Sequence, residues 1–254
     1  MKKLLFAFVP AFAVLASLQA ASASTTQVGL STILVTGQHR ESSATATLSA
    51  PAPVLWISHR SGRFTLFAEA TASLGSDTVL GNKLGLTSVQ LSYMNALVRY
   101  HLTPNTSVGL GESVYNQQSD YTRGTYRGAS FGEIDTSRVV GVRYQVRELI
   151  YRTAHSKIVA RFAFNPHLWA HLDIRNTDGD GDGGDGRFGE GGFMLPEHGS
   201  QIDAALESST RNRRFTFTYG VRYVNLVMLF PYGELADQNS FVIPFVGLST
   251  AVGR

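Results

Sequence analysis

The segment from Thr177 to Gly186 reads TDGDGDGGDG and carries the densest set of candidate ligand groups in the chain. Asp178, Asp180 and Asp182 stand at positions 1, 3 and 5 of a candidate calcium loop, with Gly183 at position 6. Carboxylates at that spacing wrap a hard cation, and glycine permits the sharp turn. The pattern then departs from such a loop, because position 12 is Gly189, Glu190 comes one place late, and no helical periodicity flanks the segment. Calcium held over residues 178–190 is one expectation, and a connector solvated by its own charge is the other. No further cofactor is expected.

Upstream, His167, Trp169, His171 and Asp173 occupy alternate positions, which on a β-strand point to one face. Residues four apart on a strand are separated by about 13 Å, too far for joint ligation of one metal. A His171–Asp173 pair could instead serve a hydrolase as general base and orienting carboxylate. Neither a Gly-x-Ser-x-Gly elbow nor a His-Glu-x-x-His helix accompanies it. The competing expectation is a polar mouth of hydrogen-bonded histidines.

The remaining charges of interest are Glu69, Arg99, His101, Arg143, Arg147, Arg161 and Arg222, each in phase with a polar register. Val140, Val142, Tyr144 and Val146 alternate with Gly141, Arg143, Gln145 and Arg147, and Phe215, Phe217, Tyr219, Val221 and Tyr223 with Thr216, Thr218, Gly220 and Arg222. Phe64, Leu66, Ala68 and Ala70 alternate with Thr65, Phe67, Glu69 and Thr71. From Ile158 onward the even positions form an apolar set, and Val159, Arg161, Ala163, Asn165, His167, Trp169, His171 and Asp173 form the other. Period-two patterning of this length predicts strands with one apolar and one polar face. If the polar face is enclosed, its cations form either a plug of mutually satisfied ion pairs or a basic constriction that favours anions. Asp203 and Glu207 join the set if their strand keeps parity.

Residues 1–23 have the form of a cleaved secretory signal: Lys2 and Lys3, an apolar run from Leu4 to Leu18, then Ala21-Ser22-Ala23. As a spanning helix the run falls short of about 20 residues and contains Pro10. Without this segment the 22 Lys and Arg become 20 against 19 Asp and Glu, so the net charge of +3 falls to +1. With no basic cluster interleaved with aromatics, nucleic acid is not an expected partner. The chain has no cysteine, so an exported product would be held together by its core or by another solvent. Roughly 230 remaining residues suffice for one large β-domain.

Ten strands are expected, near 28–38, 44–58, 63–73, 88–102, 106–118, 136–151, 156–173, 199–209, 214–228 and 240–252. Their links alternate. Short turns at 59–62, 103–105, 152–155 and 211–213 face longer loops at 74–87, 119–135, 174–198 and 229–239, and only the hairpin near 39–43 breaks the rule. In this alternation the chain resembles the small outer-membrane β-barrels of Gram-negative bacteria, which have short periplasmic turns and long outer loops.

The resemblance covers residues 24–254. It implies an all-β fold, a single closed antiparallel up-and-down transmembrane barrel of about ten strands, eight to twelve being compatible. It also implies an outer-membrane location, contact with membrane lipid and lipopolysaccharide, and insertion by the barrel-assembly machinery. The polar face then lines the lumen. Trp56, Tyr100, Tyr151, Phe162, Phe164, Phe215, Tyr223, Phe230 and Tyr232 supply interfacial aromatics. Three features depart from the pattern. The last aromatic is Phe245 rather than the final residue, Glu112 lies on the apolar parity where a bulge would relieve it, and Pro51 with Pro53 predicts a split second strand. The expected role is non-catalytic, structural and surface-exposed or a narrow passive channel with a basic lumen. The alternatives are a hydrolase of the same fold using His171 and Asp173, and a soluble periplasmic barrel enclosing a ligand.

Overall fold

A computed structural model describes residues 24–252 apart from 42–43, 72–73, 77–78, 81–85, 127–128, 178–192, 213 and 234. The expected signal at 1–23 and the aspartates Asp178, Asp180 and Asp182 lie outside the described residues. The strands are β1 (Ser24–Glu41), β2 (Ala44–Ser61), β3 (Phe64–Thr71), β4 (Leu74–Ser76), β5 (Val79–Leu80), β6 (Leu86–His101), β7 (Thr106–Tyr126), β8 (Ala129–Arg152), β9 (Ser156–Thr177), β10 (Phe193–Asn212), β11 (Phe215–Leu229) and β12 (Leu235–Val252). All neighbours pair antiparallel, and β1 pairs with both β2 and β12, so the sheet closes on itself. The short pieces β4 and β5 continue the course of β3, one against β6 and the other against β2. The result is a closed barrel with ten strand positions.

Closure suits the sequence because it leaves no row of unpaired backbone donors while the alternation divides side chains between two environments. Leu30, Leu55, Val98, Leu110, Val146, Phe162, Leu206, Phe217 and Val246 are exposed on the outside. The inside is a packed core. Ile33, Ala52, Val54, Val224, Phe241 and Ile243 form one apolar cluster, and Val139, Leu168, Ala170, Leu226, Met228 and Ala236 form another. The lumen is therefore polar on part of its wall and apolar on the rest, where the alternation predicted a polar interior. Trp56 belongs to this interior, its ring 6.3 Å from that of Phe67, and is not one of the interfacial aromatics.

Four sequence expectations are revised by the register. First, β2 stays continuous and pairs along its whole length with β1 despite Pro51 and Pro53. The two prolines share parity, so both missing donors fall on the other edge. There the ladder to β3 ends at Val54–Thr71, and Thr71 Oγ1 donates to the Pro53 carbonyl at 2.8 Å.

Second, no bulge relieves Glu112. It pairs in unbroken register with Ala96 and Val142 and remains exposed on the outer face.

Third, β9 carries one extra residue relative to both neighbours between Asn165 and Leu168, where Pro166 has no N–H to give. That bulge reverses the parity. Leu168 and Ala170 are buried inside, while His167 and Trp169 are turned out, their rings stacked with centroids 6.4 Å apart.

Fourth, much of the expected long loops is strand: β7 and β8 stay paired up to Tyr126–Ala129, and β9 runs to Thr177.

At the short-turn end the connections are made by side chains with local reach. Thr103 Oγ1 accepts the N–H groups of Asn105 and Thr106 at 3.1 and 2.9 Å, and Thr153 Oγ1 accepts those of His155 and Ser156 at 3.3 and 2.9 Å. Between β2 and β3 the turn needs a left-handed residue, supplied by Gly62 at φ 56°. Beside it, exposed Arg63 donates to the Tyr100 hydroxyl at 3.2 Å, which raises its guanidinium above the ordinary value.

Candidate functional site

The charged residues picked out by alternation converge in the lumen. Glu69, Arg99, Arg143, Arg161 and Arg222 are buried on the inner face, and Arg147 and His101 are half-buried on the same face toward the short turns. Asp203 and Glu207 keep the parity of β10, and Asp203 is fully buried.

Asp203 is the hub. Its Oδ2 accepts from Arg143 Nη2 on β8 and from Arg222 Nη2 on β11, the latter at 2.5 Å. Arg222 then crosses the lumen, its Nη1 lying 3.5 Å from Glu69 Oε1 on β3 and 3.3 Å from the Tyr93 hydroxyl on β6. Glu69 also accepts from Asn95 Nδ2 at 2.8 Å, and Asn95 Oδ1 accepts from Ser113 at 2.6 Å. Arg143 adds a bond to Asn165 Oδ1 at 3.4 Å. Residues of β3, β6, β7, β8, β9, β10 and β11 are thus joined in one network at mid-height. Two guanidinium groups and two carboxylates balance its charge, the condition under which burying them is tolerable.

A second set of contacts spans the lumen nearer the long-loop end. Asn239 Nδ2 on β12 donates to Gln117 Oε1 on β7 at 3.2 Å, and Asn239 Oδ1 lies 3.0 Å from His39 Nδ1. Tyr115 donates to Gln201 Oε1 at 2.7 Å, joining β7 to β10. His39, Tyr93, Tyr115, Asn239 and Gln117 were not singled out from the sequence. Their signal was inward parity alone, which every second residue shares.

Toward the short turns the cations gather. Arg99 passes over Gly109, where a Cβ would stand 3.2 Å from its Cγ, to donate to Gln145 Oε1 at 2.7 Å. Its guanidinium carbon sits 4.1 Å from the centroid of the Phe67 ring. Arg161 Nε is 3.5 Å from Glu207 Oε1.

The residues of the other motifs fall wholly or partly outside the described residues. The strand backbone carries His171 and Asp173 opposite Arg138 and Thr136, but their side chains lie outside the described residues. No group of three His, Cys, Asp or Glu side chains able to hold a metal occurs among the described residues.

No family model matches the chain, and no curated protein sequence does. Solved structures do share its fold. The translocator domain of the autotransporter NalP from Neisseria meningitidis aligns at a TM-score of 0.57 and 11% identity, covering 94% of this chain and 92% of that one. The outer membrane protease OmpT from Escherichia coli aligns at a TM-score of 0.50 and 10% identity, covering 92% of this chain and 100% of that one. A protease and a translocator domain on one architecture show that the fold does not specify the activity. What the likeness establishes is the fold, that of the closed outer-membrane-type β-barrels, and the exposed apolar outer face is the kind such a barrel turns to lipid.

Proposed function

We propose that this chain is a closed, non-catalytic outer-membrane barrel, a structural and surface-displayed element whose lumen conducts no solute. The observation that carries this reading is the pair of bridges across the interior, Arg222 to Tyr93 and Asn239 to Gln117. Both join strands five positions apart in either direction around the ten-position ring. Ten strands about 4.8 Å apart and tilted about 40° enclose a backbone ring about 20 Å across. An arginine and a tyrosine reaching about 7 Å from facing walls, with a hydrogen bond of about 3 Å between them, fill most of that span. The apolar clusters occupy the space beside them.

By the rule for such barrels the short turns lie in the periplasm and the long hairpins outside, with lipid and lipopolysaccharide against the exposed apolar band. The barrel-assembly machinery is the partner that insertion calls for.

Planar-bilayer recording tests the reading. The purified barrel is expected to insert without stable conductance, whereas the combined Arg143→Ser, Asp203→Ser, Arg222→Ser and Asn239→Ser variant removes both bridges and is expected to conduct. Steady ohmic, anion-selective currents through the wild-type chain would overturn closure in favour of a narrow passive channel.

A further inference from the structure

The lumen charges divide along the barrel axis in a way that closure alone does not require. At mid-height Arg143 and Arg222 are matched by Asp203 and Glu69. Below them, toward the short turns, Arg99, Arg147, Lys157 and Arg161 share the inner face with one carboxylate among the described residues, Glu207. Arg147 and Arg161 are directly opposed partners on β8 and β9. Like charges in that relation repel and destabilise a sheet. The direct contacts of Arg99 are to uncharged groups, the Gln145 amide and the Phe67 ring. Glu148 lies on the opposite parity from Arg147 and cannot offset the cluster from inside.

Burial falls off in one direction. Arg99 and Arg161 are buried, Arg147, Lys157, Glu207 and His101 are half-buried, and Arg60 and Arg211 at the rim are exposed. The cations therefore run from the rim at the short turns, the vestibule end of the lumen, inward to the Arg143–Asp203–Arg222 network.

We infer that this vestibule is a binding site for a soluble multivalent anion bearing phosphate groups, which enters and leaves by the short-turn end. Guanidinium forks match phosphate oxygens in pairs, so an anion seated between Arg147 and Arg161 converts their mutual repulsion into charge-assisted hydrogen bonds. The excess of cations over carboxylates calls for more than one negative charge. Pairing of β1 with β12 closes the wall, so the headgroup of a bilayer lipid has no lateral route to these residues. This inference does not depend on closure of the lumen, since a silent barrel that binds nothing would leave the proposed function standing.

Isothermal titration of the folded barrel in zwitterionic detergent with inorganic pyrophosphate tests it, at constant ionic strength set with sodium chloride. Saturable binding near one equivalent is expected, with a rise in the thermal unfolding temperature that chloride does not reproduce. Arg147→Gln should weaken binding about tenfold or more, as loss of a charge-assisted contact does. Exposed Arg138, near the opposite end of β8, serves as a control, and Arg138→Gln should leave binding unchanged. If Arg147→Gln does not fold, Lys157→Gln takes its place, with at least threefold weakening expected. Stabilisation no greater than that of sodium chloride overturns the site. Equal binding by wild type and the vestibule variant does so as well, as does binding of an acidic peptide in preference to pyrophosphate.

Discussion

Arg222 on β11 and Tyr93 on β6 stand on diametrically opposed strands of the barrel, and their side chains meet across the lumen at 3.3 Å. The same guanidinium contacts Asp203 at 2.5 Å and Glu69 at 3.5 Å, so one residue ties three regions of the wall together. A porin-like interior would keep such groups apart with water between them. Here they form the middle of a core.

Asp203 is the member of that core whose loss should cost most. It faces two guanidinium groups, and Asp203→Asn keeps an acceptor oxygen but removes the buried negative charge that both of them meet. The expected loss of stability is about 3–5 kcal/mol, the range for breaking a buried ion pair. Glu69→Gln should cost less, because Glu69 meets one guanidinium at 3.5 Å and the amide oxygen, placed where Oε1 now stands, still accepts from Asn95. Urea unfolding in lipid vesicles, followed by the gel-mobility shift between folded and boiled chain, would measure both. A smaller effect for Asp203→Asn than for Glu69→Gln would refute the hub assignment.

The bulge at Pro166 makes an optical prediction. The chain has two tryptophans, Trp56 and Trp169. Trp56 is inside against Phe67, and Trp169 is 57% exposed on the outer face. Brominated lipids should therefore quench Trp169 strongly and Trp56 weakly, read separately in the Trp56→Phe and Trp169→Phe variants. Equal quenching of the two would mean that the parity of β9 is not reversed.

Glu112 faces outward between Leu110 and Val114, and among the described residues it makes no hydrogen bond or ion pair. An acidic side chain on the lipid face is destabilising by less than the 2–4 kcal/mol typical of a basic one at the midplane. Glu112→Val should accordingly stabilise the barrel by about 1–2 kcal/mol in vesicle unfolding. A destabilised variant would show that the carboxylate has a partner in the membrane.

Thr103 and Thr153 close two separate turns by the same pair of contacts to backbone N–H groups. Each threonine-to-alanine change should cost about 1 kcal/mol. The two turns share no hydrogen-bond partner, so the double variant should cost the sum within about 0.5 kcal/mol. Strong departure from additivity would reveal coupling between the hairpins.

The alternation of Val140 to Arg147, Phe215 to Tyr223 and Phe64 to Thr71 was enough to establish strands, to separate two faces and to place Glu69, Arg143 and Arg222 together on one of them. That follows from a local rule: successive side chains on a strand point to opposite sides, whatever the strand pairs with. The turn at Thr103 was equally local, a matter of residues within three positions of each other. The same rule misplaced His167 and Trp169, because one extra residue at Pro166 reverses the facing of residues 167–170 and leaves the composition unchanged. It also could not say that Arg222 meets Tyr93, or that Asn239 meets Gln117, since partners across a lumen are chosen by strand number and stagger when the sheet closes. Periodicity along the chain therefore determined which residues share a face within each regular stretch, and closure of the ring decided which of them touch. Contact across the lumen depends on the geometry of the whole sheet, and no single segment contains it.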